Sequence, residues 1–319
     1  EMGGGIGGAG VRGPVEHVDF VLEHLDVSLL PHQSATGWDA FSLDYRAEMP
    51  VAAIINPAIL LDYRRIFHLL WRLKRAEHLL SGVFTKQTAA ARMLGSVDPL
   101  LHSSCCLRNE LMHLVTNLQY YLKFEVVECS WDKFSTQLDE ATDLDGLIAA
   151  HTAFVSSVVS KALLEPSMSD IFETLKSIFE TIERFAMTQD ELSALVSRRH
   201  HAAHRQMVQI EARSEMGRWG LSGAAAIDAA LPPAERRGFE YEVAEHAEQY
   251  RLHLDRLFAK LASEPSLDLA FLSFRLDFNL YYEAQRDEDA AFRIAEEVAA
   301  TDMAASHTPA AVRSAVGRA

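Results

Sequence analysis

Two histidines are spaced so that both could bind one metal ion. His200 and His204 lie at i and i+4 in the segment RRHHAAHR, so a helix would place both imidazoles on one face. Zinc proteases combine this spacing with a glutamate directly after the first histidine, but here that residue is His201. Arginines flank the histidines, and nearby cations disfavour a bound metal ion. We therefore interpret the segment as a solvated basic helix face.

Glu110 and His113 form one ExxH motif. Di-metal carboxylate bundles need two such motifs and further single glutamates on neighbouring helices. The sequence has no second ExxH on a core-facing stripe, so these residues are interpreted as a surface glutamate and a half-buried histidine. A metal-dependent helical-bundle enzyme remains an alternative function.

Other catalytic patterns are missing from the sequence. It contains neither a GxSxG motif nor a P-loop, and no cysteine has an obvious base beside it. The glycine-rich start contains a formal GxGxxG at Gly5, Gly7 and Gly10, but a dinucleotide site needs a preceding strand. We therefore expect no catalytic residue, no metal and no cofactor, and the protein is not predicted to be an enzyme.

The charge balance disfavours two classes of partner. The chain has 30 Lys and Arg against 45 Asp and Glu, a formal net charge of −15, which suits neither phosphate backbones nor anionic lipid. A basic and aromatic cluster at Trp71, Arg72, Lys74 and Arg75 would point in several directions on a helix. No run reaches about 18 apolar residues. We therefore predict no nucleic-acid partner and no membrane span.

Helical periodicity dominates from Asn56 onward. Asn56 and Pro57 form a helix start signal, and Asp143 precedes another apolar stripe. Helices are predicted at 57–82, 100–128, from Trp131 after a turn at Ser130, at 144–165, 169–212 and 243–261, with a compact apolar stretch at 267–282. No segment alternates convincingly between apolar and polar residues. The predicted fold class is all-α, a bundle of roughly five to seven helices with short extended connectors.

Composition divides the chain further. Residues 1–14 are predicted to be a glycine-rich linker, and 15–37 to be the end of a preceding helical region with a short helix. The main helical domain would cover 38–285. Within it, the Gly-, Ala- and Pro-rich segment 217–238 is predicted to be a disordered insertion. The tail 286–319 has little core-forming content and is expected to be mobile. The three cysteines, two of them adjacent, favour a reducing intracellular compartment.

Several separated stretches resemble one family. WDAFSLDY at 38–45 has too many aromatic residues for an ordinary linker and precedes LLDYRRIFHLLWRLKRAEHLL. RNELMHLVTNLQYYLKFEVVECSWDKF, DLDGLIAAHTAFVSSVVSKALL and FLSFRLDFNLYY follow in order. Together, across about residues 18–282, they resemble the C-terminal half of the gamma-tubulin complex components. The sequences LWRLKR and FRLDFN are most similar to those of component 3, with component 2 as the nearest alternative.

The resemblance implies an all-α domain that binds gamma-tubulin and pairs with other components, with component 2 as a neighbour. It implies a scaffold for microtubule nucleation in the cytoplasm, at a microtubule organising centre. Without most of the family's N-terminal half, this chain is expected to bind gamma-tubulin but not to assemble a ring alone. An all-α adaptor or tether of another complex remains an alternative.

Residues 38–45 allow two interpretations within that resemblance. The aromatic side chains could pin a connector onto the bundle, with Asp39 and Asp44 capping helices or pairing with arginines, or part of the segment could contact gamma-tubulin. Since interfaces favour arginine and aromatic residues, charge reversal of Arg72 together with Arg75 is expected to weaken binding without unfolding. The candidate partner contacts are Trp38, Asp39, Phe41, Tyr45, Arg72, Arg75, Arg275, Asp277 and Asn279.

Overall fold

The structure is a computed structural model that describes residues 21–29, 40–94, 98–218, 230–264 and 266–284. These residues form seven α-helices and one small antiparallel sheet, so the predicted all-α bundle is confirmed. The strands are β1 (Leu25–Leu29) and β2 (Phe41–Tyr45). The helices are α1 (Pro57–Leu94), α2 (Pro99–Tyr120), α3 (Cys129–Glu140), α4 (Leu144–Lys161), α5 (Ser169–Glu215), α6 (Pro233–Ser263) and α7 (Leu267–Leu276).

Side-chain caps start several of the helices. Asn56 Oδ1 accepts hydrogen bonds from the amides of Ala58 and Ile59 at 3.0 and 3.1 Å. Asp143 accepts from the amide of Gly146 at 2.7 Å. These bonds satisfy amides that have no partner in the first helical turn. The starts predicted at Asn56 and Asp143 are confirmed.

Two predicted boundaries are wrong because packing overrides the local signals. Helix α1 continues through Gly82 to Leu94, since Leu80 and Val83 on either side of the glycine are fully buried and outweigh its weak helix propensity. The turn predicted at Ser130 does not form. A π-helical segment, Tyr121–Glu128, leads directly into α3.

The predicted disordered insertion at 217–238 is also too long. Helix α6 begins at Pro233, because proline fits the first helical turn. The part of the insertion at 219–229, the linker 1–14 and the tail 286–319 lie outside the described residues.

Helix α5 lies at the centre of the bundle. It packs against α1 on one side and α6 on the other. Its predicted apolar stripe is buried, as the 4-and-3 spacing requires; the stripe comprises Ile171, Leu175, Ile178, Ile182 and Phe185. Helix α7, which packs against α2 and α6, carries the first part of FLSFRLDFNLYY at 271–282, called the C-terminal motif below.

The strand β1 was not predicted. Leu25 pairs with Tyr45 and Leu29 with Phe41 in the antiparallel sheet, within the 15–37 region expected to be helical. Five residues are too few for periodicity to separate a strand from a helix, and the pairing partner is distant in sequence. The extended character of β2 agrees with the predicted extended connector.

One helical stretch, within 144–215, is long and apolar enough to be compatible with a membrane span by composition alone. It includes α4, whose Val155 and Val158 belong to the bundle core. A single stretch of this kind is weak evidence for a membrane protein, because core helices of bundles have the same composition.

Candidate partner-binding surface

The segment 38–45 is fixed to helix α1. The ring centroid of Phe41 lies 4.7 Å from that of Trp71 and 5.9 Å from that of Phe67. The Tyr45 ring is tilted by 38° against that of His24, with 6.1 Å between centroids. These contacts support the interpretation that the aromatic side chains pin a connector to the bundle. Trp38 and Asp39 lie outside the described residues.

Asp44 supplies the charged part of the same attachment. Its Oδ1 accepts hydrogen bonds from Arg64 Nε at 2.9 Å and Nη2 at 2.6 Å, so this aspartate pairs with an arginine, one of the two roles expected. An apolar groove of about 470 Å³ lies beside this pair, between the sheet and α1. It is lined by Val21, Leu25, Leu43, Tyr45, Ile55, Leu60, Tyr63 and Phe67.

The two candidate arginines of α1 both face other helices. Arg75 Nη1 lies 2.7 Å from Glu183 Oε1 on α5, and the Arg75 side chain is only 11% exposed. The Arg72 guanidinium lies 5.8 Å from the ring centre of Phe172. Charge reversal at Arg75 would therefore place two carboxylates together inside the bundle. The geometry favours a structural role for Arg75.

Arg275 and Asp277 of the C-terminal motif have different interaction partners. The carboxylate of Asp277, a residue only 7% exposed, accepts hydrogen bonds from the amides of Tyr282 at 3.1 Å and Glu283 at 3.0 Å. It thereby caps the last described helical turn. The guanidinium carbon of Arg275 instead lies 3.4 Å from the ring centre of Tyr120. Asn279 is exposed in the turn that begins at Asp277.

Helix α7 has apolar residues on two faces. Leu269, Leu272 and Leu276 are buried against the bundle. On the outer side, Phe271 and Phe274 are 39% and 65% exposed, and Phe278, in the turn after the helix, is 62% exposed. Tyr120, at the end of α2, is 41% exposed beneath Arg275. We call Tyr120, Phe271, Phe274 and Phe278 the aromatic surface.

Sequence reasoning identified Arg275 but missed the phenylalanines around it. The available signal was their 3-and-4 spacing, which predicts a shared face on a helix, although α7 ends at Leu276 and Phe278 lies in the following turn. The leucines repeat with the same spacing on another face. A helix with two apolar faces at the edge of a bundle leaves one face for a partner, because exposed apolar patches mark interaction sites.

The ExxH motif lies near this surface, where the His113 ring is 6.4 Å from that of Phe278. Burial raises the pKa of the Glu110 carboxyl and lowers the pKa of His113. Glu110 is half-buried, which corrects its interpretation as a surface residue. Among the described residues, no group of three or more His, Cys, Asp or Glu side chains could hold a metal ion. The arrangement is suited to recognition by apolar and cation contacts.

Comparison with known proteins identifies the family. The family model described as "Gamma tubulin complex component C-terminal" matches residues 15–282, which include both the β-sheet and the aromatic surface. The chain belongs to this family. The match also contains all five of the stretches on which the resemblance rested and all nine candidate contacts.

Three relatives place the chain within the family. Gamma-tubulin complex component 3 of Arabidopsis thaliana is 34% identical over 279 residues, which cover 82% of this chain and 33% of the relative. Component 3 of Homo sapiens is 32% identical over 281 residues, covering 83% and 30%. Spindle pole body component 98 of Dictyostelium discoideum is 31% identical over 289 residues, covering 84% and 31%. The chain spans about a third of the length of these relatives.

The predicted similarity to component 3 is therefore confirmed. The relatives' names describe components of a complex or of a spindle pole body. This gamma-tubulin complex component domain has the all-α architecture expected for its family. The groove lies near the N-terminal end of the matched segment, and the three phenylalanines of the aromatic surface lie near its C-terminal end.

Proposed function

We propose that this domain binds gamma-tubulin through the aromatic surface and acts as a scaffold in microtubule nucleation. The observation that carries the proposal is the exposure of Phe274 and Phe278, 65% and 62%, in the C-terminal motif of a family member. Aromatic residues dominate the binding energy of protein interfaces. A folded domain rarely leaves such residues together in water without a partner.

The wider role follows from the family. In a full-length protein, the domain would present gamma-tubulin beside neighbouring components, with component 2 as the expected neighbour. The protein would then act at a microtubule organising centre, such as a spindle pole or centrosome, in the cytoplasm and during mitosis. Its role is structural, and the GTP belongs to the tubulin.

Co-elution of the purified chain with GTP-bound gamma-tubulin tests this function. Size-exclusion chromatography with light scattering should give a one-to-one complex. The variant Phe274→Ser/Phe278→Ser should elute separately from gamma-tubulin while keeping its thermal unfolding midpoint. Failure of the folded wild-type chain to bind would overturn the proposal and favour an adaptor of another complex. Stoichiometric metal in elemental analysis would favour the enzyme alternative.

A further inference from the structure

We propose that Arg275, whose guanidinium lies over the Tyr120 ring of the aromatic surface, receives a carboxylate of gamma-tubulin. This inference rests on the proposed function and names the chemistry of its central contact. It requires a guanidinium that is held in place, that lacks an acidic partner within the domain, and that is surrounded by apolar area.

The guanidinium is held in place by an aromatic ring. The Arg275 guanidinium carbon lies 3.4 Å from the centre of the Tyr120 ring, a distance at which the ring face attracts a cation. Tyr120 itself packs against Phe124, with 4.3 Å between ring centroids. An arginine whose planar guanidinium already rests on a ring loses little further side-chain entropy when it binds a partner. Arg275 is therefore oriented before a partner arrives.

Arg275 has no acidic partner among the described residues. The nearest acid in sequence, Asp277, directs both oxygens to backbone amides. Asp268, on the same helix, binds Lys161 at 3.2 Å. The Nε atom of Arg275 is buried and lacks a hydrogen-bond partner within the described structure. No acidic side chain in the described part of the chain therefore balances the positive charge of Arg275.

The surroundings of Arg275 define the partner's chemistry. A second cation, Lys123, lies 5.1 Å from the ring centre of Phe124, so two positive groups flank one aromatic pair in a chain of net charge −15. Phe271 and Phe274 add exposed apolar area on α7. The complementary surface is an acidic side chain flanked by apolar residues, because arginine binds carboxylates through two parallel hydrogen bonds.

Affinity measurements at two salt concentrations test this assignment. Binding of the full chain to GTP-bound gamma-tubulin is titrated at 50 and 250 mM salt for the wild type, Arg275→Gln, Arg275→Lys and Phe274→Ala. Arg275→Gln should weaken binding about tenfold or more and reduce its salt dependence. Arg275→Lys should retain part of the salt dependence. Phe274→Ala should weaken binding with the wild-type salt dependence. Thermal melts verify that each variant is folded.

The outcomes distinguish this inference from the proposed function. If Arg275→Gln binds with unchanged affinity and salt dependence while Phe274→Ala loses affinity, the carboxylate assignment is overturned and the proposed function stands. If the folded wild type does not bind, the proposed function itself fails.

Two other occupants of the surface would also overturn the assignment. A second copy would appear as a wild-type dimer that Arg275→Gln converts to a monomer. Two results together would indicate that the chain's own acidic residues occupy Arg275. The triple variant Asp287→Asn/Glu288→Gln/Asp289→Asn would bind gamma-tubulin more tightly than the wild type, and adding Arg275→Gln to the triple variant would not weaken that binding.

Discussion

Arg64 on helix α1 donates two hydrogen bonds to one oxygen of Asp44 on strand β2, at 2.9 and 2.6 Å. The two side chains are each 35% exposed. The pair therefore joins the small sheet to helix α1. A second ion pair in the sheet, between Arg46 and Asp26, is much more exposed, at 61% and 60%, and contributes less for that reason.

Substitution of Asp44 should destabilise the domain more than substitution of Asp26. Asp44→Asn should lower the free energy of unfolding by about 0.5–1.5 kcal/mol, because it weakens charge-assisted hydrogen bonds. Asp26→Asn, the matched control on the neighbouring strand, should change it by less than about 0.5 kcal/mol. Urea denaturation followed by circular dichroism measures both. Equal effects would show that the Asp44 pair does not hold the sheet.

The ion pair between Arg75 and Glu183 should be structural. Arg75→Met leaves the Glu183 carboxylate without this partner between α1 and α5 and should cost about 2–3 kcal/mol of unfolding free energy. Lys86→Met removes a more exposed pair, with Asp190, between the same two helices and should cost at most about 1 kcal/mol. If Arg75→Met lowered the free energy of unfolding only slightly but weakened gamma-tubulin binding, Arg75 would instead be a partner contact.

Acidification should destabilise the domain through His151. Burial lowers the pKa of His151 in the folded protein, where its Nε2 lies 2.9 Å from the Tyr63 hydroxyl. Since the unfolded state then binds more protons, the stabilising effect is complete above the unfolded pKa of about 6.5 and is lost as pH falls through that value towards the folded pKa. Urea denaturation at pH 7.5 and 5.5 should therefore show that acidification lowers the free energy of unfolding less for His151→Gln than for the wild type.

Other buried histidines should leave part of this pH dependence in the variant. Burial also lowers the pKa of His246, with Arg184 as a further cause. The double variant His151→Gln/His246→Gln should accordingly be less sensitive to pH than either single variant. If the free energy of unfolding changed equally with pH in the wild type and the double variant, the acid sensitivity would come from other groups.

Buried and exposed residues of the C-terminal motif should differ in their effects, the buried ones on stability and the exposed ones on binding. Leu272→Ala removes a fully buried side chain and should cost about 2–5 kcal/mol of unfolding free energy. Phe278→Ala, at a position 62% exposed, should change stability by less than about 0.5 kcal/mol and weaken gamma-tubulin binding at least about tenfold. Urea denaturation and binding titration measure the two effects. Normal binding by Phe278→Ala would remove this residue from the interface.

The sequence indicated the helices well because their signals are local and repeated. The stripe from Ile171 to Phe185 predicted α5, and Asn56 and Asp143 marked helix starts that the structure confirms. Boundaries at Gly82 and Ser130 were misjudged because local breakers were outweighed by burial in the assembled bundle. Strand β1 was missed because its identity depends on pairing with β2.

The candidate site was only partly predictable. The motif containing Arg275 and Asp277 was found from its residue types, yet the two side chains do not pair with each other. Asp277 turns to the amides of Tyr282 and Glu283, and Arg275 to a ring supplied by α2. The choice between these partners depends on which helices meet, and a single sequence contains no direct record of that.

The sequence by itself determined the fold class, the family resemblance and the acidic character of this protein, because periodicity, motif order and charge are properties of the chain. Only the tertiary structure decided which apolar residues remain exposed. Leu272 and Phe274 lie two positions apart in one short helix, but the packing of α7 against α2 and α6 buries the first and leaves the second in solvent. Burial is a property of the assembled helices, and it separates the core of this domain from its aromatic surface.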